Sequence, residues 1–251
     1  VDKSDSKYID SPYGSQPSTT IQTIAGTYSV DSYTLSDDTL TVTDEFIVAE
    51  HIYDWEKVLT SFDLMASRID EQNYSVAASM DSWVLNNLCE DGTGTYTTPS
   101  GGFTTPANII KILADLLGKF TGYADTYKGL YLVIESTDVT GFAQAQAANG
   151  YKMADSALKN GFFTHYMGFD IYVVQSGVFV STTLGTKAVT NDGHRVAGVK
   201  GITTFAFPRD LQYEEKPVTG KTGREVVTWG YLGFKAWYSK LALTIDITLT
   251  A

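Results

Sequence analysis

The 251-residue chain has one cysteine, Cys89. An intrachain disulfide is therefore impossible, and a thiolate metal cluster is excluded. Histidine is almost as scarce. His51, His165 and His194 lie too far apart in sequence for HExxH or HxH spacing, so each is expected to be a surface or hydrogen-bonded residue rather than a metal ligand. Neither GxxxxGK[ST] nor GxSxG occurs, which removes the sequence signatures of a P-loop and of a nucleophile elbow. No apolar run approaches the ~18 residues of a membrane-spanning helix, and the first ten residues lack the charged-then-apolar pattern of a secretion signal. Basic charge is also short. Against 29 Asp and Glu there are 18 Lys and Arg, a formal net charge of -11. Such a surface repels phosphate and disfavours tight nucleic-acid binding by counterion release. It serves solubility, and it suits the wall of a container that must not adhere to its cargo.

What the chain does have is a globular composition. Apolar residues make up 43% and charged residues 19%, which excludes disorder and leaves ample material for a core. Carboxylates invite a search for acid/base pairs, such as Asp44-Glu45 with Glu50, or Glu135 with Asp138. With 29 acidic residues such pairs arise by chance, and no nucleophile or second base accompanies them. No catalytic residue, cofactor or metal is expected.

Patterning gives a mixed α+β chain without regular βαβ alternation. Residues 1–20, rich in Ser, Asp, Thr and Pro, read as an extended arm or loosely held tail. From Thr27 the sequence alternates: Tyr28 and Val30, then Tyr33 and Leu35, then Leu40 and Val42 among threonines. Ser36-Asp37-Asp38 offers turn chemistry, so a hairpin bent there is expected. Phe62, Met65, Ile69, Val76, Met80, Trp83, Val84 and Leu88 recur at helical spacing up to "EDGTG" at 90–94. They predict one long helix, with two helices broken near Gln72–Tyr74 as the alternative. "GTGTYTTPSGG" (92–102) reads as a loop. Thr105-Pro106 opens a helix with Ile109, Ile110, Leu113, Leu116 and Leu117 as its buried stripe. "LYLVIE" (130–135) is a central strand covered on both faces, a helix follows to Ala148, and strands are expected at 169–176, 202–208, 225–238 and 241–250. The dense aromatics Trp229, Tyr231, Phe234, Trp237 and Tyr238 are assigned to core and interface packing rather than to sugar or base binding.

The order of these elements resembles the major capsid protein of tailed bacteriophages, the Hong Kong 97-type shell fold. Ala77, Met80, Asp81 and Val84 fit the "a..iD..v" pattern of its spine helix. Asn160, Gly161, His165, Gly168, Phe169, Tyr172 and Ser176 fit "nG..g...Gf.vy.S", and Tyr231, Gly233 and Lys235 fit the closing "yG.k". The resemblance covers residues 21–251 through the order of these weak motifs.

It implies an N-terminal arm at 1–20, an extended loop at 21–48, a peripheral domain from 49–103 with 221–251, and an axial domain at 104–220. It further implies self-assembly into pentamers and hexamers of an icosahedral shell around double-stranded DNA, located in the virion and assembled in the host cytoplasm. The DNA would be touched only weakly and non-specifically, and portal, scaffolding and decoration proteins would be further partners. No membrane is involved. Tyr28, Val30, Tyr33, Leu35, Leu40 and Val42 are the expected assembly interface, and Leu40→Asp is expected to leave the monomer folded while blocking closed shells. Some relatives join a loop lysine to an asparagine of another subunit; residues 26–46 contain no lysine, so that cross-link is expected to be absent or to use another site. The alternatives are an encapsulin-type protein nanocompartment, a monomeric β-rich binding module, and an acid hydrolase using carboxylates such as Glu135 and Asp138.

Overall fold

The structure is a computed structural model that describes residues 8–14, 35–54, 64–92, 94–120, 129–148, 162–208, 210–219, 222–236 and 244–250. Its organising element is a long helix, α1 (Leu64–Glu90). At 27 residues it runs ~40 Å, unbroken across Gln72–Tyr74. Helical spacing brings Gln72, Val76 and Trp83 onto a buried side, and Leu88 and Cys89 near its end are buried too.

Two sheets flank α1. The first is built on β2 (Leu35–Ile52) and β12 (Arg224–Ala236). Residues 42–52 of β2 pair antiparallel with β12. The opposite edge of β12 takes β11 (Gln212–Pro217) and then β10 (Thr203–Ala206). The second sheet has six strands in the order β3-β13-β9-β4-β6-β5. These are β3 (Gly94–Ser100), β4 (Leu130–Glu135), β5 (Phe162–Tyr166), β6 (Phe169–Val174), β9 (His194–Val199) and β13 (Thr244–Thr250). A separate hairpin, β7 (Ser181–Leu184) with β8 (Lys187–Thr190), lies between β6 and β9 in sequence.

The expected central strand is β4, parallel to β6 and antiparallel to β9. Strand alternation sends Leu130, Leu132 and Ile134 into one core and Val133 into another. The first core is roofed by α2 (Pro106–Phe120) and α3 (Val139–Ala148). The second is closed by Leu88 and Cys89 of α1 with Phe179 and Val196. On α2 the buried stripe is Ile109, Ile112, Leu113, Leu116 and Phe120, whereas the expected Ile110 and Leu117 stay 38% and 37% exposed. The correction shifts the buried face by part of a turn, because α2 packs on α3 and the sheet together.

Two further expectations change. "GTGTYTTPSGG" contains a strand, β3, paired parallel to β13. Its threonines and Tyr96 suit a pleated surface, and Pro99 is tolerated because β3 is at the sheet edge. The hairpin turn at Ser36-Asp37-Asp38 does not form. β2 runs straight through it, and the partner strand is β1 (Tyr8–Gly14), from the stretch read as an extended arm or loosely held tail. Turn-prone residues permit a bend but do not enforce one. Here each has a cross-strand partner, Ser36 with Tyr13, Asp37 with Pro12 and Asp38 with Ser11.

The sheets also cut across the boundaries drawn from the resemblance. β3 and β13, from 49–103 and 221–251, join strands of 104–220, while β10 and β11 from 104–220 join β12. Strand pairing is non-local, and sequence segments do not report it.

Leu40 is wholly buried within its own chain, clustered with Ala206 and backed by half-buried Val42. A Cβ on Gly233 would stand 2.8 Å from its Cδ2, so glycine makes the space Leu40 occupies. Leu40→Asp would force a carboxylate into that apolar site, which corrects the expectation of a folded monomer. Leu40→Ala should lower unfolding free energy by about 2–5 kcal/mol. Urea denaturation of the isolated chain measures it; a midpoint equal to that of the parent would refute the packing described.

Candidate assembly surface

The most unusual local feature is the arm made by β1 and the outer part of β2. At ~3.3 Å per residue, the 18 residues of β2 extend ~60 Å. The inner part is hydrogen-bonded to β12, and residues 35–41 are hydrogen-bonded to β1 instead. The changeover falls at a bulge, where Leu232 faces Asp44 but Gly233 faces Val42, leaving Thr43 without a partner on β12. One extra residue reverses the faces. Val42 and Leu40 therefore join Gly233 and Ala206, while Phe205 and Phe234 pack edge-on against Trp83 of α1, each at 6.3 Å between centroids.

The arm is anchored at this base. Asp44 Oδ1 accepts a 2.7 Å hydrogen bond from the Thr186 backbone N–H in the β7–β8 turn. Gly185 adopts φ 62° there, and a Cβ at that position would sit 2.2 Å from the same oxygen. The hairpin is in turn tied to the end of α1, through Lys187 on Asp91 and the Thr190 N–H on Glu90. Farther along β2, Glu50 pairs with Arg68 of α1 and accepts from Gln72, and the Gln72 carbonyl oxygen accepts from Thr228 of β12 at 3.0 Å.

The carboxylate pair singled out as a chance acid/base candidate is a structural clamp. Arg195 donates to Glu135 at 3.0 Å, to Asp138 at 2.6 Å and to the His194 carbonyl at 2.6 Å. Glu135 also accepts from the Gly177 N–H, and its own N–H donates to Asp138. Both carboxylates are thus paired with one buried guanidinium, which gives them a structural role. Asn86, fully buried on α1, is a neutral counterpart: its amide donates to the Val178 carbonyl and accepts from the Val180 N–H and Asn191. Arg195 and Asn86 carried no recognisable motif; a lone arginine inside an apolar strand run was the available signal.

His165 meets Asp170 at 2.8 Å and His194 meets Asp246 at 2.9 Å, as expected for hydrogen-bonded histidines. Burial, with the carboxylate of Asp246 adding, pushes the Cys89 thiol far up, so it is no nucleophile. Among the described residues no cluster of three His, Cys, Asp or Glu could hold a metal ion, and no helix is long and apolar enough to cross a membrane.

Of the predicted interface residues, Tyr28, Val30 and Tyr33 lie outside the described residues. Leu35 begins β2, Leu40 is core, and Val42 is half-buried beside it. Two surfaces outside the predicted interface residues remain open. One is a groove of about 630 Å³ beside α1, lined among others by Tyr74, Ala77, Asp81, Val84, Tyr172 and Phe205. Tyr74 is 72% exposed at its side. Asp81 is reached by solvent, yet its apolar surroundings raise its carboxyl above the usual value. The other is the face of the β2–β12 sheet turned away from α1, where Ile47 is 62% exposed and Tyr231 41%.

No protein-family model matches the chain, and no curated protein matches it. Solved structures do. The chain is similar to the capsid of the cyanophage P-SCSP1u at 13% identity and TM-score 0.71, over 99% of this chain and 85% of that one. It is similar to the mature capsid of bacteriophage PhiM1 at 13% identity and TM-score 0.69, over 100% and 84%. It is also similar to the capsid of a native gene transfer agent particle, at 14% identity and TM-score 0.63, over 98% and 86%. The chain has the fold of phage capsid proteins.

Arg195→Ala would strand two buried carboxylates and should cost about 3–5 kcal/mol in denaturant unfolding; an unchanged midpoint would contradict the clamp. The acid limb of stability is also specified. The hydrogen bond from Arg68 lowers the Glu50 carboxyl, and that from Lys200 lowers Asp170. A lowered folded-state value gives stability that is present above the ordinary carboxylate range and lost as pH falls through the lowered value. Glu50→Gln should therefore flatten the decline below pH ~4, read as the urea midpoint against pH. A variant curve parallel to the parent's would remove Glu50 from that account.

Proposed function

We propose that this chain is a major capsid protein of the Hong Kong 97 type, whose copies form pentamers and hexamers of a closed shell around double-stranded DNA. In this reading α1 is the spine, the β2–β12 sheet with α1 is the peripheral part, and the six-stranded sheet with α2 and α3 is the axial part. The hairpin from β1 to the outer half of β2 is the extended arm, and the exposed groove beside α1 is a surface for the arm of a neighbouring copy. Portal, scaffolding and decoration proteins are further partners of such a shell, and the virion is its location.

The observation that carries the reading is the arm itself. Beyond Leu40 it is, among the described residues, a two-stranded ribbon of β1 and β2, and a lone ribbon is marginal in water. Apolar contact with a second copy, at ~25 cal/mol per Å², supplies what the ribbon lacks. Repetition over a closed lattice makes individually modest contacts strong. The net charge of -11 fits an inner wall that packaged DNA touches without adhering.

Electron microscopy and sedimentation of the purified chain should show rings or closed shells. Removing residues 1–14 deletes β1; that variant should keep its circular dichroism and lose the particles. A parent that stays monomeric at every concentration, or a truncated chain that assembles as well as the parent, would overturn the proposal. Particles without nucleobase absorbance from a phage-infected host would instead favour a protein nanocompartment.

A further inference from the structure

We infer that two open surfaces of this chain fit one another between copies: the β2–β12 sheet face turned away from α1 receives the exposed stripe of α2 from the next copy. The inference rests on the self-assembly reading and names the surfaces that meet.

Each surface is apolar at its centre. On the sheet, Ile47 stands directly across from Trp229, and Tyr231 lies two residues along the same face. Neighbouring side chains on a pleated face lie close enough to make one continuous patch. On α2, Ile110 and Leu117 are seven residues apart, so they lie on one side with exposed Ala114 between them. Gly118 adds open space beside them, since a Cβ there would meet nothing within 4 Å. Large apolar side chains at more than a third exposure, collected into a patch on each of two elements, mark interaction surfaces rather than scattered surface residues.

Charge selects the partner. The sheet face is edged by Glu45, opposite Tyr231, and by Glu225, opposite His51 on β2 and Lys216 on β11; Lys216 pairs with Glu214 at 2.9 Å, so three glutamates against one lysine leave the face net acidic. α2 carries Lys111 and Lys119 along one flank; Asp115 between them is drawn to the Tyr96 hydroxyl at 3.0 Å. Lys111, Lys119, Glu45 and Glu225 make no ion pair among the described residues. Two sheet faces brought together would oppose glutamates, and two α2 stripes would oppose lysines. Sheet face against α2 pairs unlike charges around an apolar centre. The lysines are ~12 Å apart along the helix and the glutamates ~20 Å apart along the strands, a difference that lysine side chains splayed along the axis span.

The two surfaces belong to different sheets, so one copy can use both at once. Such a head-to-tail contact repeats from copy to copy, giving a ring where its rotation closes and a filament where it does not, whereas a self-paired surface stops at a dimer. This separates the inference from a generic sticky patch.

Three full-length variants test it: Lys111→Glu with Lys119→Glu; Glu45→Lys with Glu225→Lys; and all four together. Circular dichroism and urea midpoints establish folding, and sedimentation with electron microscopy reads assembly. Each two-site variant should stay folded and lose oligomers, and the four-site variant should regain them. A parent that assembles together with two-site variants that assemble equally well overturns the pairing alone. Failure of the four-site variant to recover, when folded, also overturns it. A parent that never assembles overturns both this pairing and the shell reading.

Discussion

The constraint on which the rest depends is backbone pairing along a single strand. β2 is far longer than its own sheet needs, and every peptide group in it must find a partner or water. Its inner half is satisfied by β12 and its outer half by β1. The arm is therefore a continuation of the sheet along β2. The bulge at Thr43 marks where one partner gives way to the other and turns the side chains over. Anchoring is concentrated there because any looseness at the base is magnified along the ribbon. Leu40 fills the space left by Gly233, and Asp44 holds the β7–β8 turn.

α1 makes the two sheets one body. Its first half is stitched to β2 and β12 by polar contacts from Arg68 and Gln72, and its last turns close an apolar core on β4 and β9. Asn86 carries the amide that fixes the intervening 178–180 backbone. Buried polar groups of this kind are costly unless fully paired, and here they are paired with backbone as well as side chains. The Arg195 clamp extends the same logic across β9, β4 and the turn after β4. These groups dictate register and angle between layers, while the apolar clusters supply the drive to bury them.

A fold shared with capsid structures at 13–14% identity is consistent with that division. Cores require apolar residues of suitable size at the right period, which many sequences provide. Surfaces that meet between copies must match only one another, so they can change in concert. In the pairing proposed above, the sheet face and the α2 stripe belong to this second class.

Read alone, the sequence determined what depends on local period. It located α1 without a break, β4 as a strand covered on both sides, α3 after it, and strands at β6, β10, β12 and β13. Its single cysteine excluded an intrachain disulfide, its acidity disfavoured tight nucleic-acid binding, and the order of elements pointed to the capsid fold. What only the tertiary structure decided depends on partners distant in the chain. The Ser36–Asp38 segment became strand because 8–14 lies beside it, Leu40 became core because Gly233 and Ala206 surround it, and Glu135 with Asp138 became a clamp because Arg195, some sixty residues away, enters between them. Hydrophobic periodicity records which face of an element is apolar; it carries no record of which other element will cover that face.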